Sequence, residues 1–164
     1  MNNFYFLEVA NYNIWANNIV HNWLLDITED QWSQTIVSSF GSIAATALHI
    51  AGAERIWLDR FKKSEKPIWL PNAMQPILHE TLAEWSKASE GLIDFVSNCD
   101  DSKMNETLSF KRINGDSMNL SMQHALAHVF NHSTYHRGQL LLMLKQVGYE
   151  KASGTDMLIF FKGK

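Results

Sequence analysis

The chain has 164 residues, of which 46% are hydrophobic, 12% aromatic and 19% charged. This length is typical of one domain, and the supply of apolar side chains excludes a disordered chain. The formal net charge is −3 and no run of Lys or Arg occurs, which argues against a nucleic-acid partner.

Helical periodicity predicts four long helices in chain order. Their approximate ranges are 3–26, 43–62, 77–97 and 121–147. The third helix has the cleanest apolar stripe. The stripe of the first helix is interrupted by several amides: Asn11, Asn13, Asn17 and Asn18.

Local signals indicate where the helices begin and end. Residues 28–31 have the Thr-x-x-Gln form of a capping box, which predicts a short helical turn after the first helix. Ser42 is a suitable N-cap for the second long helix, and Gly148 is typical of the residue just past a helix end. Three prolines predict an extended connection between the second and third long helices: Pro67, Pro71 and Pro76.

A hairpin signal lies between Glu106 and Asn119. Asn114 and Gly115 suit a tight turn because both can adopt positive φ, and the flanking segments alternate weakly between apolar and polar residues. The sequence therefore predicts an all-α fold, a four-helix bundle with a small β-hairpin before the last long helix. We expect it to form a single domain of residues 1–164.

The sequence also favours a protein of the cytoplasm. Its single cysteine, Cys99, excludes an intramolecular disulfide and suits a reducing compartment. Because Asp100 and Asp101 follow it, we expect a raised thiol pKa and no nucleophile there.

We expect no signal peptide, because the first residues lack a basic segment and a cleavage site. We expect no membrane span, because no apolar run approaches about 18 residues.

Four histidines fall at intervals of four on the last predicted helix: His124, His128, His132 and His136. On a helical wheel with about 100° per residue, His136 and His132 lie closest to the apolar core direction, and the other two turn toward solvent. Two imidazoles four residues apart can reach a common metal ion, each with a nitrogen about 2.0–2.1 Å from it. The pattern favours His132 and His136 as ligands, with a hydrogen-bonded core pair as the alternative.

A third ligand must come from another helix, because two protein ligands hold an ion poorly. His49 in the second long helix is the natural candidate, but spacing alone does not select it over His79 or His21.

Glu54 lies near the centre of the apolar stripe of the second long helix, where a carboxylate should be paired. It could orient a ligand histidine or form an ion pair with an arginine. Gly138, within the last helix, indicates close packing, room beside the site, or drift.

Several segments resemble the DinB/YfiT-like family of metalloenzymes, which is named for DNA-damage induction. Residues 128–139, HVFNHSTYHRGQ, resemble its C-terminal signature. Residues 12–17, YNIWAN, are similar to its first-helix motif, and residues 48–58, LHIAGAERIWL, to its second-helix motif. Residues 155–161 are similar to its usual ending. The resemblance covers nearly the whole chain and implies a four-helix bundle with a histidine triad.

By position, the resemblance implies that the triad is His49, His132 and His136, holding one divalent metal ion. Zn is our first choice and Ni our second. Three protein ligands leave a position open for water or substrate, as in catalytic sites. Members of the broader group include thiol-dependent S-transferases and isomerases that use low-molecular-weight thiols. We therefore expect a metal-dependent enzyme that acts on a small molecule and that could use a thiol cosubstrate.

Two alternatives remain open: a metal-dependent hydrolase, and a non-catalytic stress-response protein that binds metal or another ligand. The candidate catalytic residues are His128 as a base beside the ligands, Arg137 as a contact for an anionic substrate group, and Glu54. The simpler interpretations place His128 at the rim of the site and Arg137 at the surface or at a helix end.

Exposed apolar faces and six Trp also permit a homodimer.

Overall fold

The computed structural model describes residues 2–162, and four long helices form most of this part of the chain. They are α1 (Asn3–Leu25), α3 (Ile43–Phe61), α5 (Leu78–Ser97) and α6 (Met122–Gln146). Shorter helices join them or follow them: α2 (Glu29–Ser33), α4 (Leu70–Ala73), α7 (Met157–Lys162) and a 3-10 helix (Asp101–Asn105). Each predicted end of a long helix lies within one residue of the observed end. None of the helices in residues 2–162 has both the length and the apolar character needed to cross a membrane.

The helix ends follow the capping signals in the sequence. The Ser42 hydroxyl accepts a hydrogen bond from the backbone N–H of Ala45 at the start of α3. Thr28 and Gln31 each accept the other's backbone N–H, which forms the expected capping box of α2. Gly148 follows α6 with a φ of +83°. These contacts satisfy backbone groups that a helix end otherwise leaves unpaired.

The three prolines led us to expect an extended connection between α3 and α5. The observed connection is extended only in part. Leu70–Ala73 forms the short helix α4, and Pro71 lies in its first turn. A proline is tolerated there because the first N–H groups of a helix have no partner within the helix.

The hairpin consists of β1 (Thr107–Lys111) and β2 (Ser117–Ser121), which pair antiparallel with Lys111 opposite Ser117. Its loop therefore covers residues 112–116. Only Gly115 of the predicted turn pair has a positive φ, +91°, so the expectation that Asn114 also adopts one is wrong. The reason is loop length, since a loop longer than two residues does not require two consecutive left-handed residues.

The long helices form a ring in which α1 and α3 each pack against both α5 and α6. The hairpin contacts α3 and α6 at one side of this ring. The predicted four-helix bundle with a hairpin before the last long helix is thus confirmed, and α4, α7 and the 3-10 helix are added to the predicted elements.

The core of the bundle consists of two apolar clusters, one toward each end of the bundle. The first contains Trp23, Ile50, Trp85 and Leu140. The second contains Phe6, Trp57, Leu92 and Leu126. Every long helix contributes to both clusters, and burying one such side chain contributes about 1.5–3 kcal/mol. Between the two clusters each long helix carries buried polar residues.

Two helical glycines have different surroundings. A Cβ atom at Gly52 in α3 would lie 2.7 Å from Cδ of Pro71 and 3.3 Å from Cζ3 of Trp69. A Cβ atom at Gly138 in α6 would meet nothing within 4 Å. Close packing is therefore not the reason for Gly138.

We predict opposite effects for the two alanine substitutions. Gly138→Ala should raise the free energy of unfolding by up to about 1 kcal/mol, because alanine favours the helix and meets no neighbour. Gly52→Ala should lower it by about 1–3 kcal/mol, because the rigid ring of Pro71 must move. Urea unfolding of both variants beside the wild type measures this difference. Equal effects would contradict the close contact at Gly52.

Candidate metal centre

Three histidines of α3 and α6 converge between the two helices. His49, His132 and His136 each offer one ring nitrogen, and these nitrogens lie within 4.8 Å of one another. The Nε2 atoms of His49 and His132 are 3.1 Å apart. Two nitrogens bound to one tetrahedral ion lie about 3.4 Å apart, since each is about 2.0–2.1 Å from the ion. A small movement would therefore let both reach a shared ion.

The orientation of α6 agrees with the helical-wheel argument. His136 is buried and His132 is half-buried, whereas His128 and His124 are exposed. Because residues four apart lie on one face of a helix, His132 and His136 both turn toward α3. The wheel did not determine His49, because α3 is buried around most of its circumference.

Aromatic and amide side chains enclose the three imidazoles. The Phe40 ring stacks on His49 with centroids 4.0 Å apart, and Trp69 meets the same imidazole edge-on at 5.4 Å. Nδ1 of His136 donates to Oε1 of Gln139 at 2.7 Å, which leaves Nε2 of His136 as the nitrogen with a free lone pair. Sequence reasoning missed these three neighbours. Of the three, only Gln139 could have been found from the sequence, because it follows His136 by three residues on the same helix and side chains so spaced are neighbours.

The surroundings keep the imidazoles neutral. Burial, together with the neighbouring histidines, lowers the pKa of His49 to about 4 and that of His132 to about 3. Burial also lowers the pKa of His136, against the opposing effect of its hydrogen bond to Gln139. Neutral imidazole is the form that binds metal, so the three residues fit a divalent ion. Nδ1 of His132 is buried and has no hydrogen-bond partner among residues 2–162.

Glu54 lies in the layer of buried polar residues next to this group of histidines. Its side chain is fully buried, and its carboxylate accepts hydrogen bonds from the three other long helices. The donors are Asn13 and Asn17 of α1, Ser89 of α5 and Ser133 of α6. Neither a histidine nor an arginine bonds directly to Glu54, because within residues 2–162 amides and hydroxyls occupy its oxygens.

Arg137 belongs to the same layer. It is 2% exposed, and its guanidinium donates to Oδ1 of Asn13 at 2.6 Å, to Oδ1 of Asn17 at 2.8 Å and to Thr134 Oγ1 at 2.8 Å. The two amides thus connect this cation to the Glu54 carboxylate. A surface position and a helix-capping role are wrong for Arg137, because its side chain turns into the bundle, where opposite charges compensate. A role as a substrate contact stays a prediction.

His128 lies at the rim of the group of histidines. Its ring centroid is 5.8 Å from that of His132 and 5.2 Å from that of Trp57. Although the residue as a whole is exposed, neighbouring side chains partly desolvate its imidazole, and this desolvation and the nearby charge of Arg60 lower its pKa. His128 thus occupies the rim position, which was the simpler of the two interpretations from the sequence. Its role as a base stays a prediction.

The remaining candidates lie outside the group. His21, in α1, packs against Trp85 with ring centroids 4.7 Å apart, and burial lowers its pKa to about 4. His79 and His124 are exposed. Cys99 is buried, and burial is the main reason why its thiol pKa is raised. The expectation of an unreactive cysteine agrees with this environment.

A cleft of about 770 Å³ opens beside the histidines. His49, His132 and His128 line it, and the hairpin and Trp69 contribute to its walls. Its lining includes Arg60 and Arg112 but no carboxylate, hydroxyl or thiol side chain among the described residues. A ligand in this cleft therefore meets imidazoles, cations and apolar surface.

The fold and the site together define a helical-bundle protein with a three-histidine group that can hold a metal ion. The chain belongs to the DinB family, whose family model matches residues 1–162. Protein DinB of Bacillus subtilis (strain 168) is 29% identical over 165 residues, which cover 96% of this chain and 94% of that protein.

Solved structures agree on the fold. The crystal structure of a DinB-like protein from Bacillus cereus ATCC 10987 matches with a TM-score of 0.70 at 19% identity, over 91% of this chain and 94% of that chain. A DinB-like protein from Bacillus subtilis matches with a TM-score of 0.66 at 11% identity, over 90% and 96% of the two chains.

We predict that Glu54→Gln lowers the free energy of unfolding by about 3 kcal/mol or more. The substitution keeps the shape but leaves the Arg137 charge uncompensated and turns an amide N–H₂ toward hydrogen-bond donors. Glu84→Gln is the matched control, because the partly exposed ion pairs of Glu84 should contribute no more than about 1 kcal/mol. Chemical unfolding measures both, and similar losses would contradict the role given to Glu54.

We predict that His21 makes the protein less stable in acid. The unfolded chain takes up a proton at this residue below about pH 6.5, whereas the folded chain resists protonation until about pH 4. Stability is therefore lost as the pH falls through this window, by about 3 kcal/mol in total. His21→Phe should flatten the pH dependence of the unfolding free energy relative to the wild type. An unchanged slope in His21→Phe would refute the prediction.

Proposed function

We propose that His49, His132 and His136 hold one divalent metal ion, with zinc first and nickel second, and that the protein is a metal-dependent enzyme for a small molecule. The observation that carries this proposal is the group of three neutral imidazoles, with nitrogens within 4.8 Å of one another, beside the cleft. Imidazole is a ligand suited to both ions. Such an ion acts as a Lewis acid that lowers the pKa of bound water or of a thiol.

The chain's own residues would prepare the site. Gln139 fixes the tautomer of His136, while Phe40 and Trp69 cover His49 and restrict water beside it. Three protein ligands, rather than four, favour a catalytic site over a closed structural one. The cleft has the volume of a small-molecule site.

The choice between reaction types rests on which nucleophile is available. The cleft lining has no cysteine, serine or carboxylate among the described residues, and Cys99 is buried elsewhere. The nucleophile must therefore come from outside the protein, as a low-molecular-weight thiol or as water. We propose thiol-dependent S-transfer first and hydrolysis second. His128, an imidazole of the lining outside the ligand group, is the proposed base that takes up the proton.

We also propose that the protein acts in the cytoplasm and that it forms a homodimer. A single cysteine suits a reducing compartment. Exposed apolar side chains on α1 and α7 favour self-association, notably Phe4 at 68% exposure, Leu158 at 70% and Ile159 at 57%.

The first prediction of this proposal is metal stoichiometry. Protein purified without a nickel column should contain one equivalent of metal by mass spectrometry, and His132→Ala should contain almost none. His124→Ala is the matched control, because this exposed histidine of the same helix lies outside the group. Equal metal content in all three proteins, or none in folded wild type, would refute the metal site.

Chelation then separates an enzyme from a binding protein. None of the three histidines belongs to either apolar cluster, so the chelated protein should stay folded with a lower melting temperature, as expected for the loss of a bound ligand. Thiol-transfer and hydrolysis assays on electrophilic substrates should lose activity on chelation and regain it with added metal. Unfolding on chelation, or no turnover of any substrate, would favour a non-catalytic stress-response protein.

A further inference from the structure

Arg60 lies on the same face of α3 as His49. The two residues are eleven positions apart, which is close to three helical turns, so their Cα atoms are about 16 Å apart along the axis. Both side chains line the same cleft. A ligand that touches both must therefore be elongated.

The Arg60 guanidinium is held in a fixed position. Its Cζ atom lies 4.7 Å from the ring centroid of Trp57 and 4.5 Å from that of Phe110, so the cation lies against two aromatic rings. Nη2 of Arg60 donates to the backbone carbonyl of Lys111 in the hairpin at 3.1 Å. The aromatic and backbone contacts orient this group without neutralising its charge.

No carboxylate pairs with Arg60 within residues 2–162. By contrast, Arg55 on the same helix pairs with Asp59 at 3.1 Å and with Glu84 at 3.5 Å. Nε of Arg60 is buried and has no hydrogen-bond partner in the part of the chain that the structure describes. A second cation, Arg112, lines the same cleft. A partly buried charge without a counterion is unfavourable, and an anion bound here would remove that cost.

We propose that Arg60, assisted by Arg112, binds the oxyanion group of an elongated small molecule whose other end reaches His49 and His132. The middle of this molecule is apolar or aromatic, because Ala53 and Ile56, which come between His49 and Arg60 on α3, line the cleft. That this ligand is the substrate rests on the proposed function. Arg60 is a specificity-determining residue that selects for negative charge.

The test compares two fluorescent probes that differ in one group. They are 1-anilinonaphthalene-8-sulfonate, which carries an oxyanion, and N-phenyl-1-naphthylamine, the same aromatic molecule without it. The sulfonate probe should bind the wild type about tenfold more tightly than the neutral probe. Arg60→Met should remove this difference, since methionine keeps apolar contact with Trp57 and Phe110 but carries no charge. Arg55→Met, the matched control, should bind both probes as the wild type does.

The location of binding is read from indole N–H signals in ¹H–¹⁵N spectra. Addition of the sulfonate probe should shift the signals of Trp57 and Trp69, which line the cleft. Shifts confined to other tryptophans, or equal affinities of the wild type for the two probes, would overturn the proposal. If Arg60→Met does not fold by circular dichroism, Arg112→Gln takes its place. Its exposed side chain makes it tolerant of change, and it should weaken sulfonate binding about threefold.

Titrations of metal-loaded and chelated wild type distinguish this proposal from the proposed function. Discrimination between the probes that persists after chelation supports the Arg60 site, even if the metal-content measurement fails. Discrimination that disappears on chelation would place the anion on the metal ion and overturn the assignment to Arg60.

Discussion

All four long helices meet at the buried carboxylate of Glu54. It belongs to α3 and takes hydrogen bonds from α1, α5 and α6. A carboxylate in an apolar core is tolerated only when its lone pairs are satisfied and its charge is balanced. The amides of Asn13 and Asn17 meet both requirements, because each donates to Glu54 and accepts from Arg137. The rotation of every long helix about its own axis is thereby restricted.

This restriction determines where the imidazoles of α6 lie. Ser133 and Arg137 turn into the polar layer, and His132 and His136 each precede one of them by a single residue. One residue corresponds to about 100° of rotation, so the polar layer and the histidine group occupy adjacent faces of the same helix. The hydrogen bonds that fix one face therefore orient the other. The fold itself thus orients the imidazoles, in the way that supporting contacts orient metal ligands in proteins.

The features that could be predicted are those encoded by neighbours on one helix. Apolar periodicity and caps such as Ser42 predicted the long helices, and the helical wheel predicted the direction of His132 and His136.

The features that could not be predicted depend on pairs far apart in the chain. His49 could not be selected on α3 because almost every side of that helix is buried. The contacts of Glu54 and Arg137 with asparagines were not predicted, because these asparagines come from α1, where the amides only interrupted an apolar pattern. Arg60 was missed, because the hairpin residue Phe110 must fold over it.

The walls of the cleft have a different origin from the histidines. His49 and His132 stand on bundle helices, but much of the opposite wall comes from the hairpin and from Trp69 in the α3–α5 connection. The hairpin loop at residues 112–116 is exposed, and lengthening such a loop costs little free energy. The walls of the cleft can therefore change by exchange of the hairpin and one connection, while the bundle that carries the histidines stays unchanged. A division of this kind allows one fold to acquire many substrates.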